Sequence, residues 1–471
     1  MSSDTLPETY ALCSKEGRQI YTVDDHDTLV ECVLVKGSYI VDSGDLAKVQ
    51  QRSGDTIGQA SFPVYYVPSG SIVLPGLSDS HCHILEHGAS QQIPLADGKT
   101  VRETVSLVRA YILANPDLER NASSVIEGWG WDHASWDVEK LPSWRDLEAN
   151  SVVAGRPVIL QSRDGHAVWV SKRTLDANAP YPETIEGGII VRDEAGEPTG
   201  VFIDSAQDLI SRPPPTNEEL SRRFEITVRN ALAVGLTSLH DAGFKPDSLA
   251  FFRRQVEKGP LPIRIYGMTF FDEYGSYWGD QVSPLVGAGD DRLSARSVKV
   301  FADAALKGVN VSALRPRLEH AQIMTKADMA RLGDLGERVK GLYAFRTMIE
   351  SGARITLGSD FPVEVINPLK GFYAAITRLA TDGTSPHGPG GWYVPPPVPR
   401  PAPDPPRGTS RYDNRPRVRV FHGGYPRKLE PGKRADYVVL SQDIMSVPPE
   451  KIMETKVLAT AIDGRIVFGG L

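Results

Sequence analysis

Apolar residues come in short blocks along this chain, and the blocks change character from one region to the next. Residues 19–23, 29–35 and 39–41 are brief β-rich runs, punctuated by Gly37 and Gly44. Residues 437–440, 457–460 and 465–468 repeat the pattern at the far end, where Asp463-Gly464 reads as a hairpin turn. Two β-rich ends around a long middle predict one small β domain built from residues 1–70 and 429–471.

The middle, residues 71–392, alternates apolar strands with helices. Predicted strands cover 125–128, 157–161, 236–240, 263–268, 298–301, 317–320 and 355–358. Thr216 followed by Glu219 is a capping box that opens a helix running to Gly235. Asn367-Pro368 supplies a cap and a first-turn proline for a helix ending near Gly383. Such alternation predicts an α/β fold with a parallel sheet, open or closed into a barrel. Residues 393–428 break the pattern: proline and arginine dominate and no apolar periodicity survives, as expected of an extended or disordered linker.

Polar residues recur where the predicted strands end, which is where α/β barrels carry their chemistry. His81 and His83 follow the apolar run 71–76. In a strand, positions i and i+2 share a face, so both imidazoles aim at one point, and neutral imidazole is a ligand for zinc and similar ions. His240-Asp241 ends the strand at 236, Lys299 lies within the strand at 298, His320 ends the strand at 317, and Asp360 follows the strand at 355. Together these residues can gather on one or two divalent cations. A cation-held water can lose a proton near neutral pH, and Asp360 is placed to carry that proton to a leaving nitrogen. Structural alternatives stand beside each assignment: His240 paired with Asp241, Lys299 reaching solvent or Asp303, Asp360 starting a turn.

Two further stretches are candidates for shaping a substrate pocket. One is Ser162-Arg163-Asp164-Gly165-His166, in which His166 can hydrogen-bond a substrate carbonyl or merely close a loop. The other is the indole-rich run around Trp129 and Trp131, where core packing is the competing role.

Composition narrows the class. A 471-residue chain suits a large barrel with a satellite, or two to three ordinary domains. A formal charge of −7 argues against non-specific nucleic-acid binding. No apolar run is long enough to span a bilayer, and residues 1–10 lack the apolar core of a signal peptide. Three cysteines give no disulfide framework; Cys13 and Cys32 can pair, but so few fit a reducing compartment, and the cytoplasm is the expected location.

Six segments taken together resemble the amidohydrolase superfamily, in its family-three branch. They are 75–83 with His81 and His83, 163–166 with Asp164 and His166, 235–243 with His240, 298–303 with Lys299, 317–322 with His320, and 358–363 with Asp360. Residues 429–437 resemble the return into that family's β-sandwich. The resemblance implies a (β/α)8 TIM-like barrel with a β-sandwich formed from both termini. It implies hydrolysis of a non-peptide carbon–nitrogen bond in a small amide-like molecule, dependent on a divalent metal such as zinc. It also implies that His81, His83, His320 and Asp360 are metal ligands and that Lys299 is a carbamylated bridging ligand. Asp164, His166, Trp131 and His240 are then expected near the substrate, without nucleic-acid or membrane partners; a homo-oligomer is compatible.

The chain departs from that family in three places. A metal histidine expected between Lys299 and His320 is missing, and only residues 304–316 separate those segments. A parallel crossover needs about a dozen residues for its helix alone, so a helix, a further strand and a second helix do not fit. A second strand is missing near 336–339, and the Pro/Arg stretch replaces a helix-rich segment. These losses point to skipped coding segments and a shifted frame, and they raise the alternative of an inactive scaffold lacking one metal-ligand histidine.

Overall fold

The computed structural model describes residues 6–58, 61–137, 141–270, 284–299, 356–377, 379–384 and 428–471. Eight strands open the chain: β1 (Thr9–Ser14), β2 (Ile20–Tyr21), β3 (Leu29–Val30), β4 (Cys32–Lys36), β5 (Tyr39–Gly44), β6 (Val64–Val67), β7 (Ile72–Pro75) and β8 (Leu77–Cys82). Five follow in the next stretch: β9 (Ile126–Trp131), β10 (Val158–Ser162), β11 (Ala167–Val170), β12 (Gly188–Arg192) and β13 (Pro198–Asp204). Then come β14 (Leu236–Phe244), β15 (Arg264–Phe270), β16 (Leu285–Gly287) and β17 (Leu293–Lys299), and finally β18 (Tyr437–Leu440), β19 (Val457–Ile462) and β20 (Arg465–Gly469). The contacts divide the chain into two units. The first is residues 1–82, 229–359 and 366–471; the second is residues 83–228 and 360–365.

In the first unit, one sheet runs β5-β4-β1-β6 and another runs β20-β19-β18-β7-β2-β3. The second sheet mixes both ends of the chain, because β18 pairs antiparallel with β7. The sheets share a buried cluster that includes Tyr10, Leu12, Val33 and Val35 from one and Val73, Tyr437, Val439 and Ala461 from the other. Alternate positions supply this core, as period-two patterning requires. The Tyr10 hydroxyl donates to the Gly464 carbonyl and lies 2.9 Å from the Tyr437 hydroxyl, so the phenols have partners inside it. Asp463 and Gly464 both take positive φ, 52° and 73°, as the tight β19–β20 turn demands.

Cys13 and Cys32 face each other across β1 and β4 and form a disulfide, the pairing left open by the sequence. That bond does not support the reducing compartment expected from the cysteine count.

The third sheet of this unit orders its strands β16-β17-β15-β14-β8, with β17, β15, β14 and β8 parallel. Beside β8, the Ser80 N–H donates to the Leu357 carbonyl, so residues 356–359 border its outer edge. Cys82 is level with Asp241 of β14, which puts the end of β8 beside the middle of its neighbour. At the opposite ends of the strands, Arg264 pairs with Asp436 at 2.7 Å, and Asp463 also receives Arg264 and Arg292. These buried pairs join the parallel sheet to the β18–β20 meander.

The second unit contains a sheet of its own, ordered β12-β13-β11-β10-β9. The strands predicted at 125–128 and 157–161 therefore belong here and not to the parallel sheet of β8. A helix over Val101–Ala114, capped by the Thr100 side chain at the Glu103 N–H, covers the sheet's core of Ile126, Val158, Leu160 and Trp169.

Both predicted helix starts are present. Thr216 Oγ1 accepts from the Glu219 N–H, and Glu219 Oε2 accepts from the Thr216 N–H, opening the helix Asn217–Ala233. Asn367 Oδ1 accepts from the Leu369 N–H ahead of the helix Pro368–Thr377. That helix ends before Gly383, which instead closes a turn from Ala380 to Thr384. The strand expected at 298–301 begins five residues earlier, at Leu293. The strand at 317–320 and nearly all of the Pro/Arg stretch lie outside the described residues.

Candidate metal centre

β8 is buried along its whole length, Leu-Ser-Asp-Ser-His-Cys. Four polar residues in a buried strand are costly unless each finds a partner. Alternation places Asp79, His81 and His83 on one face, and the backbone stays extended through His83, with φ −129° and ψ 97°, where a helix over Ile84–Ser90 begins.

Asp79 accepts the His81 N–H at 3.0 Å and the Ser359 hydroxyl at 2.6 Å. Burial pushes its carboxyl up to about 6, although those hydrogen bonds pull the other way. Gly358 makes this approach feasible: a Cβ there would stand 2.6 Å from the His81 backbone nitrogen. One residue later the chain turns sharply. Asp360 takes φ +56°, rare for a residue other than glycine, and its carbonyl accepts the Val363 N–H.

His81 and His83 lie on one continuous extended stretch of backbone. Ligand atoms of His81, His83 and Asp360 all lie within 4.8 Å of one another. His83 Nε2 stands 3.1 Å from Asp360 Oδ1. Two imidazoles and a carboxylate, one buried and two half-buried, form a donor set suited to zinc or a similar divalent ion.

The other predicted residues are placed as follows. Lys299 is half-buried at the C-terminal end of β17, opposite Phe270. It stands at the same end of the parallel sheet as His81. His240 is buried in β14, its ring 5.2 Å from that of Tyr266. Trp131 is fully buried in the second unit's core, and its indole N–H donates to the Leu160 carbonyl, so it packs as core there. Asp164 accepts the Ser162 hydroxyl and the His166 N–H. Burial raises the Asp164 carboxyl, but those hydrogen bonds outweigh it and hold it below the usual carboxylate range. His166 is exposed and keeps Nδ1 2.8 Å from Asp204 Oδ1. His320 lies outside the described residues.

Three contributors escaped the sequence reading. Asp79 carried a legible signal, since it lies two positions before His81 in the same alternation. Ser359 and Asp204 carried none, because their partners are distant in the chain.

A sequence model described as "Amidohydrolase family" matches residues 69–332 and 424–468. The chain belongs to the amidohydrolase family, and thus to a family of hydrolases. Asp360 lies in the unmatched stretch between the two blocks, so its place in the cluster stands on geometry. "Putative amidohydrolase YtcJ" of Bacillus subtilis is 23% identical, covering 96% of this chain and 98% of that protein. The "N-substituted formamide deformylase" of Arthrobacter pascens is also 23% identical, over 94% of this chain and 96% of its own length. The first of these alignments runs over 548 positions against 471 residues here, so the relative carries stretches this chain lacks. Among solved structures, an uncharacterized metal-dependent hydrolase from Pyrococcus horikoshii superposes with a TM-score of 0.60 at 17% identity, covering 94% of this chain and 99% of that one. That likeness concerns the fold. No described helix is long and apolar enough to cross a membrane.

Proposed function

We propose that this amidohydrolase cleaves a non-peptide carbon–nitrogen bond, of the amide or formamide type, in a small molecule, with a divalent cation at the cluster. One observation carries the reading: two imidazoles from the end of β8 and a carboxylate some 280 residues later bring their ligand atoms within 4.8 Å. Zinc or a comparable ion fits that donor set, and Lys299 and His320 are the candidates to complete it, on a (β/α)8 scaffold with its β-sandwich. A cation bound there would polarise the substrate carbonyl and make water acidic enough to attack it.

The chain's own residues supply the rest. His81 and His83 would hold the ion through their imidazoles. Asp360, whose Oδ1 stands 3.1 Å from His83 Nε2, is the carboxylate to accept the proton of the attacking water and return it to the leaving nitrogen as the carbon–nitrogen bond breaks. His166, with Nδ1 donating to Asp204, keeps Nε2 as an acceptor when the ring is neutral. That tautomer suits the N–H of a secondary amide, whereas the charged ring would donate to a carbonyl.

The deformylase relative guides the assay. Purified protein is tested for bound zinc, manganese and iron by elemental analysis and against a panel of N-formyl and N-acyl amines. Turnover with bound metal, both abolished in His81→Ala, supports the reading; turnover that survives His81→Ala refutes the site.

A second reading has its own observation. Residues 304–316 lack the histidine expected between Lys299 and His320, and residues 333–423 fall outside the family match. An inactive scaffold of the same family would be purified without metal and would hydrolyse nothing in the panel.

A further inference from the structure

Asp360 holds a backbone conformation that a side-chain-bearing residue adopts only when its surroundings impose it. Three contacts within the second unit impose it here. The His83 N–H donates to the Phe361 carbonyl, and the Val363 N–H donates to the Asp360 carbonyl, both at 2.9 Å. Arg163 then reaches in from a part of the chain 200 residues away, and its Nε donates to the Val363 carbonyl at 2.8 Å. The remaining guanidinium nitrogens face carboxylates on either side, Glu364 at 3.7 Å and Asp132 at 4.0 Å. Arg163 is itself anchored: its N–H donates to the Trp131 carbonyl, and its carbonyl accepts the Trp129 indole N–H.

We propose that Arg163 is a positioning residue for the metal centre, its guanidinium clamping the Asp360–Val363 turn so that the Asp360 carboxylate stays aimed at His83. The inference rests on reading Asp360 as a metal ligand. The planar fork suits the task, since one face binds a carbonyl of the turn while the other nitrogens stay between two carboxylates. Lysine in its place keeps the charge and can donate from its ammonium but loses the planar fork.

The test is a zinc titration of the metal-free, full-length chain in competition with a chromophoric chelator, for the wild type, Arg163→Ala, Arg163→Lys and His81→Ala. Partners of metal ligands typically change affinity by about 10- to 100-fold when removed. We expect Arg163→Ala to bind zinc about 10-fold or more weaker, Arg163→Lys to fall between it and the wild type, and the melting of the metal-free protein to stay as in the wild type. Equal affinity in all three refutes the clamp. So does a weakening that appears only together with a lower melting temperature of the metal-free protein and is not recovered by lysine, since that is the mark of a merely structural arginine. Should Arg163→Ala fail to fold, Arg163→Lys against the wild type decides the same question. A wild type that binds no zinc, like His81→Ala, refutes the metal centre itself and is told apart from failure of the clamp, which leaves wild-type binding intact.

Discussion

The buried carboxylate of Asp79 accepts both the backbone N–H and the hydroxyl of Ser359, 280 residues further along the chain. The same carboxylate receives the N–H of His81, so one side chain ties the segment before Asp360 to the strand that carries the first imidazole. Replacing Asp79 by alanine strands two backbone donors in a buried place. Each such loss costs about 1–3 kcal/mol, so Asp79→Ala is expected to destabilise the protein by about 2–5 kcal/mol. Ser359→Ala keeps the backbone donor and should cost about 1 kcal/mol. Denaturant titration of both variants checks the order; equal losses would show that the hydroxyl, not the carboxylate, holds the junction.

Asp360 is assigned two tasks, ligand and proton carrier, and asparagine separates them. The amide keeps an oxygen to offer a cation but takes no proton. Asp360→Asn should retain measurable metal while kcat falls by about 100-fold or more. His81→Ala should lose metal and activity together. Elemental analysis beside steady-state kinetics reads both outcomes.

How far the sequence foretold this arrangement depends on the range of the interaction involved. Local signals were reliable: the capping box at Thr216, the Asn367 cap and the Asp463-Gly464 turn are each written in neighbouring residues and appear where expected. The His81–His83 pair was legible for the same reason, since a period of two needs only a strand. The separate sheet of β9–β13 was not, because an apolar strand such as 157–161 does not encode which sheet receives it. Trp131 was ambiguous in the same way: an indole near a strand end suits a pocket and a core equally until its neighbours are known. Arg163 and Ser359 act on partners hundreds of residues distant, and no local pattern marks such contacts.

His87 gives the protein a pH dependence with a definite sign. It is 4% exposed, its ring meets Phe361 edge-on at 5.0 Å, and burial pushes its pKa down to about 4. The unfolded chain binds its proton near pH 6.5, the folded one only near pH 4. Between those values the unfolded state holds more protons, so stability falls as the pH drops through that window. The loss approaches about 3 kcal/mol at its limit. Urea unfolding at intervals from pH 7 to pH 4 measures the slope. The Asp79 carboxyl, raised to about 6, acts in the opposite sense below pH 6, so the readout is a difference: His87→Gln, which has no proton to gain, should lose less stability than the wild type as the pH falls, and identical profiles would assign the effect to other groups.

Whether His166 meets the substrate can be read from KM. Its ring is exposed and Asp204 is nearly half exposed, so the pair adds little to stability, about 0.2–1 kcal/mol. Its value lies in the tautomer: with Nδ1–H given to Asp204, the neutral ring presents Nε2 as an acceptor. A secondary amide offers that acceptor an N–H, whereas its N-methylated analogue does not. His166→Ala should therefore raise KM for a secondary formamide by about 10-fold or more, the scale of one lost hydrogen bond, and leave KM for the N-methyl analogue nearly unchanged. Asp204→Asn should reproduce part of the effect in the wild type and add nothing in the His166→Ala background, since the aspartate acts only through the imidazole. If His166→Ala raises KM equally for both substrates, the ring donates to the carbonyl instead, and the charged form is the one that binds.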